Sequence, residues 1–206
     1  MRTGILGGAF NPPHLGHLVC AQEAWDRLGL DRVLLMPVGR APHRELEADP
    51  GADVRAWLCE LAVQGDDRLG VTRIELERDG PSYTADTLAL LRDRTPGDEL
   101  VLVLGADQAA ALPHWERPAE VLERAQLAVV EREGLEHEAV LRNLDGFELA
   151  DSVASFEMPR LDISSSLVRQ RVANDRSIRY LVPEAVNRYI AINELYRPAP
   201  ARMGSR

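Results

Sequence analysis

The fold is decided near the amino terminus, where the chain reads Thr3-Gly4-Ile5-Leu6-Gly7-Gly8-Ala9-Phe10-Asn11-Pro12-Pro13-His14-Leu15-Gly16-His17. The apolar run at its start predicts a short β-strand that ends at the glycine pair. The pair permits a sharp turn and lets backbone N–H groups approach a ligand. Residues 15–28 then carry apolar side chains at helical spacing, so a helix follows the loop directly. This order predicts an anion-binding loop, because the free amides and the dipole of a helix N-terminus favour phosphate.

The rest of the chain alternates short apolar runs with amphipathic segments. Strands that alternate with helices predict βαβ units, and these build a mostly parallel sheet with helices on both faces. We therefore expect an α/β, Rossmann-like fold whose chemistry lies in the loops that follow the strands. Further strands are predicted at 33–38, 70–76, 100–104, 127–130 and 152–157, and helices at 15–28, 52–63, 84–94, 118–124, 164–173 and 183–192.

A length of 206 residues suits one domain with a small appendage. The helices after about residue 163 are expected to form a small helical cap on that domain, so that residues 1–196 make a single unit. The tail, 197–206, contains two prolines and no apolar periodicity, and we expect it to be flexible.

Two pairs of residues are assigned to the core by helical apolar patterns. Trp25 and Trp57 fall in such patterns and are expected to be core tryptophans. Cys20 and Cys59 do so as well, and without metal-like spacing they are expected to be ordinary buried thiols.

The composition limits the possible functions. A net charge of −9 at pH 7 opposes binding to nucleic acid or to an anionic membrane, but a phosphate-bearing metabolite needs only a few local arginines and amides. The chain has no lysine, which excludes a Schiff-base or phosphate-loop lysine from the mechanism. No apolar run approaches the roughly 20 residues that cross a bilayer, and the amino terminus lacks the pattern of a signal peptide. We therefore expect a cytoplasmic enzyme.

His14 and His17 are the first candidates for chemistry. They are three residues apart at the start of the predicted helix, so they share one face and can address the same phosphate chain. An imidazole donates a hydrogen bond in either protonation state. A metal site with His43 as third ligand is the alternative, but no carboxylate is placed beside these histidines.

A second candidate segment reads Ile163-Ser164-Ser165-Ser166-Leu167-Val168-Arg169. Serine before an apolar periodic run is typical of a helix N-terminus, where hydroxyls and free amides can face a phosphate. Arg169 is one turn further on and can reach the same anion with its planar guanidinium. Alone, the segment favours the plainer interpretation, an ordinary helix cap followed by a solvated arginine.

Together, the two segments resemble the His-x-Gly-His and Ile-Ser-Ser-x-x-Ile/Val-Arg signatures of a nucleotidyltransferase superfamily that shares its fold with class I aminoacyl-tRNA synthetases. The resemblance implies in-line transfer of a nucleotidyl group from ATP without a covalent enzyme intermediate. It makes His14, His17 and Arg169 the catalytic residues, which stabilise the triphosphate as pyrophosphate leaves. The ATP contacts expected from both segments are Gly7, Gly8, Ala9, Phe10, His14, His17, Ile163, Ser164, Ser165 and Arg169.

Four further segments resemble bacterial nicotinate mononucleotide adenylyltransferases, and the resemblance covers the chain except the tail and roughly residues 132–150. In one of them, Ala41 replaces a proline of the family pattern. In another, Gly105 lets the backbone approach a nucleotide and Asp107 can accept hydrogen bonds from ribose hydroxyls. The segments are Met36–Arg44, Pro81–Leu88, Gly105–Asp107 with Leu112–Trp115, and Arg179–Ile190.

This resemblance implies transfer of AMP from ATP to nicotinate mononucleotide, which gives nicotinate adenine dinucleotide and pyrophosphate. Mg²⁺ is expected to travel on the phosphates of ATP, since the sequence offers no paired acidic cage for it. Trp115 would present a flat face to the pyridine ring, whereas Asp86 is interpreted as a first-turn helix residue. The mononucleotide contacts implied are Asn11, Arg44, Ser82, Tyr83, Thr84 and Trp115.

Other functions remain open at this point. Nicotinamide mononucleotide differs from the acid at one ring substituent, so a single polar contact decides between them. Tyr83, Thr84 and Trp115 weigh against phosphopantetheine or a cytidylyl acceptor. A non-catalytic nucleotide sensor is a further alternative, and a homo-oligomer is possible.

Overall fold

The computed structural model describes residues 1–41, 45–131 and 153–198. Its strands are β1 (Arg2–Gly8), β2 (Arg32–Pro37), β3 (Leu69–Val71), β4 (Glu99–Gly105), β5 (Gln126–Glu131) and β6 (Ala154–Glu157). Its helices are α1 (Leu15–Leu28), α2 (Ala52–Val63), α3 (Thr84–Arg94), α4 (Ala106–Ala111), α5 (Pro118–Arg124), α6 (Ser165–Ala173) and α7 (Glu184–Ile192), and a single 3₁₀ turn covers Leu112–His114.

The six strands form one parallel sheet in the order β3-β2-β1-β4-β5-β6. The chain moves outward from β1 to β3, then crosses back and continues from β4 on the other side of β1. In a sheet of this kind, the crevice beyond the carboxyl ends of the strands where the order reverses is the usual ligand site. The order confirms the expected α/β, Rossmann-like fold and directs attention to the ends of β1 and β4.

Helices cover both faces of the sheet, and β4 shows how its sequence specifies this. Side chains alternate along a strand, so Leu102 joins the buried cluster beneath α3, α4 and α5, while Val101 and Val103 join the cluster beneath α1. A third cluster joins α2 to α6 and α7 through Leu58, Val168 and Val186. The helices after residue 163 therefore pack on α2 and not directly on the sheet centre.

One predicted strand is wrong in its extent, and one short helix was not predicted. The strand predicted at 70–76 is only Leu69–Val71, because this edge strand has a partner on one side only and the chain turns inward after Thr72. The short helix α4 was not predicted, since six residues are too few to show a helical period.

The predicted core position of Trp57 is also wrong. Its side chain is 43% exposed, while Arg55, two residues earlier on α2, is 1% exposed and lies on the inner face. Two residues apart on a helix lie on nearly opposite sides, so burial of Arg55 turns Trp57 outward. Trp25 is half-buried against the core, and both Cys20 and Cys59 are buried thiols, as expected.

Among the described residues, no helix combines the length and the apolar character needed to cross a bilayer. The predicted tail lies mostly outside the described residues, as does the segment around 132–150.

We expect buried side chains of the central strand β1 to contribute strongly to the free energy of unfolding. Ile5 on β1 is 0% exposed, so Ile5→Ala should lower the free energy of unfolding by about 2–5 kcal/mol through lost burial and the cavity left behind. Ile192 is 73% exposed, and Ile192→Ala is the matched control with an expected change within about 0.5 kcal/mol. Urea denaturation of both variants measures the difference; equal losses would contradict this account of the core.

Candidate functional site

A cavity of about 430 Å³ opens at the carboxyl ends of β1 and β4. Its wall includes Gly7 and Gly8 from β1 and Gly105 from β4, so backbone without side chains borders the space. The opposite wall is formed by the start of α3 and by Trp115. The cavity thus lies at the point where the strand order reverses, as the topology requires of a ligand site in this fold.

The loop after β1 has a rigid, partly buried course. Phe10 has a positive φ of 47°, and the residue is 1% exposed and belongs to the core. Its ring meets that of His17 edge-on at 4.8 Å between centroids. The Phe10 ring therefore packs against the ring of His17, a contact that the sequence pattern did not indicate.

The two histidines lie together, as their spacing predicts. Their rings stack with centroids 3.7 Å apart, and His14 is 6% exposed. The backbone N–H of His14 donates to Nδ1 of His17 at 3.1 Å. A nitrogen that accepts this bond carries no proton, so the ring proton of His17 is on Nε2. The structure therefore provides His17 with one directed N–H donor.

The start of α6 lies directly against this loop, although the two segments are far apart in the sequence. The hydroxyl of Ser165 donates to the carbonyl of Pro12 at 2.8 Å, and Nη1 of Arg169 donates to the carbonyl of Asn11 at 2.8 Å. The backbone N–H of Leu15 donates to the carbonyl of Leu181, which adds a third tie. The structure thus brings the two predicted phosphate segments together.

The serine hydroxyls, however, are already engaged with protein atoms. Oγ of Ser164 accepts from the N–H of Leu167 as an N-cap, and Ser165 is bonded to Pro12. The groups at this helix end that remain suited to an anion are the first backbone amides of α6, which have no partner within the helix. Ile163 lies half-buried just before them.

Arg169 has a second partner that the sequence did not reveal. Its Nη2 lies 3.0 Å from Oε2 of Glu47, whose side chain is 85% exposed, and the carbonyl of Glu47 accepts from Nδ2 of Asn11. Asn11 is 3% exposed, and among the described residues its Oδ1 has no hydrogen-bond partner. The Arg169 side chain is 13% exposed, so in this ion pair only Glu47 lies in solvent.

The start of α3 forms the other side of the site. Tyr83 is the N-cap residue and Thr84 the first helical residue, and both line the cavity together with Ser82. Ser82 is bonded to the loop after β2 in both directions: its N–H donates to the carbonyl of Arg40, and its Oγ accepts from the N–H of Arg40. The backbone amides at this N-terminus therefore face the cavity from a fixed position.

A buried carboxyl group, Glu75, supports both of these loops. It accepts from the hydroxyl of Thr87 at 3.0 Å and from the N–H of Gly39 at 3.2 Å, and it is 5% exposed. Burial raises the pKa of the Glu75 carboxyl above its ordinary value, and the hydrogen bond from Thr87 opposes this in part. A Cβ on Gly39 would lie 2.4 Å from the carbonyl oxygen of Glu75, so the contact requires glycine.

Trp115 is half-buried, packs against the core beneath α3 and lines the cavity. The segment that carries it is tied to α3 by Arg117, whose Nη2 donates to Oδ1 of Asp86 at 2.7 Å. Asp86 is thus engaged with an arginine, in agreement with its interpretation as a helix residue. Asp107, in the first turn of α4, is exposed, and its Oδ1 would lie 2.8 Å from a Cβ on Gly105.

Three residues of the site were not predicted from the sequence: Arg55, Glu47 and Glu75. Only Arg55 left a signal, a charge on the inner face of a helix. Arg44, predicted to contact the mononucleotide, and His43, the third ligand of the alternative metal site, lie outside the described residues. Within the described ranges, no group of three or more histidine, cysteine or acidic side chains is arranged to hold a metal ion.

Comparison with known proteins gives consistent results. A family model described as cytidylyltransferase-like matches residues 5–171. A protein of Geobacillus kaustophilus named "Probable nicotinate-nucleotide adenylyltransferase" is 41% identical over 195 residues, which cover 95% of this chain and 86% of the relative. A protein of Salinibacter ruber with the same name is 38% identical, with 96% and 99% covered.

A solved structure shares the fold. The nicotinic acid mononucleotide adenylyltransferase of Plasmodium falciparum, complexed with NaAD, superposes with a TM-score of 0.77 at 16% identity, over 95% of this chain and 97% of the other. The structural match at this identity concerns the fold, whereas the sequence matches extend over nearly the full length of both proteins. The chain therefore belongs to the nicotinate-nucleotide adenylyltransferase family, within the cytidylyltransferase-like proteins.

Proposed function

We propose that the protein transfers AMP from ATP to nicotinate mononucleotide, forming nicotinate adenine dinucleotide and pyrophosphate. One observation carries the proposal: Arg169 of α6 is bonded to the carbonyl of Asn11, three residues before the stacked pair His14 and His17. Two amide-rich helix ends and one guanidinium thus converge on the loop after β1. The names of the full-length relatives support the choice of substrates.

The chain contributes positioning and charge stabilisation to this reaction. The phosphate of the mononucleotide attacks the α-phosphorus of ATP in line, so the bond to the departing pyrophosphate breaks as the new P–O bond forms. His17 donates from Nε2 to the triphosphate. The backbone N–H of His14 holds the His17 ring in place through the 3.1 Å hydrogen bond to its Nδ1. Arg169 and the amides of α6 neutralise the negative charge that develops on pyrophosphate. Neither histidine forms a covalent intermediate in this scheme.

ATP and its acceptor occupy different parts of the site. ATP lies along the loop after β1, in contact with Gly7, Gly8, Ala9 and the backbone of Phe10. On the other side, Gly105 lets the backbone approach the nucleotide closely, and Asp107 accepts hydrogen bonds from the ribose. The mononucleotide lies on the α3 side of the cavity, where Ser82 and the amides of Tyr83 and Thr84 bind its acidic groups and Trp115 lies against the pyridine ring. Asn11, in the loop after β1, is a further contact in this proposal. Arg44, Ile163, Ser164 and Ser165 complete the proposed set.

Mg²⁺ enters as part of the ATP substrate in this proposal. The described residues hold no acidic cluster that would bind it independently, so the phosphates themselves supply its ligands. When present, the ion withdraws charge from the bridging and terminal phosphate oxygens. Chelation with EDTA should therefore abolish turnover, and excess Mg²⁺ should restore it; activity that persists in EDTA would contradict this role.

Replacing the donor histidine should affect turnover strongly. His17→Ala removes the Nε2 donor, and kcat should fall on the order of 10²-fold, as for loss of one preorganised donor to a developing charge. Pyrophosphate release with both substrates at saturation measures it. His114 is exposed, and His114→Ala is the control, expected to keep its turnover. Equal turnover of His17→Ala and the control would remove His17 from the mechanism.

We expect the enzyme to prefer nicotinate mononucleotide, the acid, over nicotinamide mononucleotide, the amide. Helix-end amides favour a carboxylate over a carboxamide, so kcat/KM should be higher with nicotinate than with nicotinamide mononucleotide. Separate titrations of the two acceptors at fixed ATP measure the preference, and equal or better use of the amide would overturn the assignment. Absence of pyrophosphate release with either acceptor would instead favour a nucleotide sensor.

We expect Trp115 to contribute to the binding of the mononucleotide acceptor but not to the binding of ATP. Trp115→Leu should raise KM for the mononucleotide about tenfold, the value of one lost aromatic stacking contact, and leave KM for ATP nearly unchanged. Trp57→Leu alters a tryptophan that is 43% exposed on α2 and serves as the matched control. An equal rise in both KM values would show that Trp115 only supports the fold.

A further inference from the structure

Arg55 is the most unusual buried residue of the protein. It is 1% exposed, and its neighbours on the inner face of α2 are Leu58 and Cys59, both fully buried. A guanidinium at such a place is costly unless every donor finds a partner, whereas an apolar side chain would fill it without that cost. Arg55 must therefore be explained by the particular atoms that it binds.

Those atoms belong to both loops of the proposed active site. Nη1 donates to the carbonyl of Ala9, in the loop after β1, at 2.9 Å. Nη2 donates to the carbonyl of Gly39, in the loop after β2, at 3.2 Å. Nε donates to Oδ1 of Asp49 at 2.9 Å, so the buried charge is paired with a carboxylate. Because the guanidinium is planar and rigid, its two terminal nitrogens fix the separation of the two carbonyls.

Each loop is also held from its other side. The loop after β2 is in contact with Glu75, since a Cβ on Gly39 would lie 2.4 Å from the carbonyl of that residue. The loop after β1 is bonded through Asn11 to Arg169. The two loops are also joined by the N–H of Val38, which donates to the carbonyl of Gly8, and by the amide of Asn11, which donates to the carbonyl of Glu47. Arg55 adds one donor to a carbonyl of each loop, so neither loop can shift without straining its hydrogen bonds.

We propose that Arg55 is a positioning residue that sets the distance between the loop after β1, which carries the proposed ATP contacts, and the loop after β2, which holds the acceptor-binding start of α3 through Ser82. This distance sets the in-line approach of the acceptor phosphate to the α-phosphorus. This inference rests on the proposed adenylyl transfer. Arg55 is buried and contacts no substrate in it. The acceptor reaches the loop after β2 only through the start of α3, where Ser82 is bonded to Arg40, so the separation of the two loops affects the reaction more than the binding of either substrate.

The test compares Arg55→Met and Arg55→Lys with Asp49→Asn. Both Arg55 variants lose the planar pair of bonds, although lysine keeps the charge. Turnover with both substrates saturating should fall about 10²-fold, as expected for a misplacement of roughly 1 Å. The affinity for ATP alone and for nicotinate mononucleotide alone, measured by equilibrium titration, should change less than about threefold.

Asp49→Asn is the matched control, because it removes the ion pair but keeps both carbonyl bonds of Arg55. It should lower Tm, as the Arg55 variants do, while kcat stays within about threefold of that of the wild type. If kcat followed Tm in all three variants, Arg55 would be a stabilising residue only and the inference would be overturned. Failure of both Arg55 variants to fold would lead to the same conclusion.

The wild-type reaction separates this inference from the function on which it rests. If the wild-type protein forms no nicotinate adenine dinucleotide, the proposed function fails and the inference fails with it. If the wild type forms product and Arg55→Lys retains its kcat, only the inference about Arg55 fails.

Discussion

The arrangement of the site depends on one buried charge. Arg55 has no access to bulk water, so its donors must bind protein acceptors, and the acceptors that it finds are carbonyls of the two loops that border the cavity. A carbonyl in a loop is otherwise free to turn toward solvent. Its partner on α2 removes that freedom, and the loops after β1 and β2 acquire a defined separation. Burying the Arg55 charge and ordering the two loops both cost free energy, and the hydrogen bonds from Arg55 to the loop carbonyls offset both terms.

The second constraint links parts of the chain that are far apart in the sequence. Carbonyls of Asn11 and Pro12 cannot take part in the sheet or in α1, and they accept from Arg169 and Ser165 of α6. The third hydrophobic cluster holds α6 and α7 against α2, the same helix that carries Arg55. The helix that carries Arg55 therefore also supports α6, whose Ser165 and Arg169 are bonded to the loop after β1.

Much of the fold could be predicted because its signals are local. The bounds of α1, α2 and α3 agree with the sequence patterns, since each helix is long enough to show its period. Spacing also predicted that His14 and His17 share one face. The burial of Arg55 and the exposure of Trp57 could not be predicted in this way. Helical periodicity indicates which face of a helix is apolar, but it does not show which hydrogen-bond acceptors the folded chain brings to a buried arginine. The partners of Arg55 lie on three different loop positions, and only the folded chain brings these together.

The site also shows how a chain with a net charge of −9 and no lysine can accommodate anions. Its positive potential comes from short-range sources: the N-termini of α1, α3 and α6, one N–H of His17 and the guanidinium of Arg169. Such sources act within a few ångströms and are directional, unlike the field of several mobile lysines. Their effect therefore depends on exact placement of the backbone, and the buried Arg55 contributes to that placement through its bonds to the carbonyls of Ala9 and Gly39.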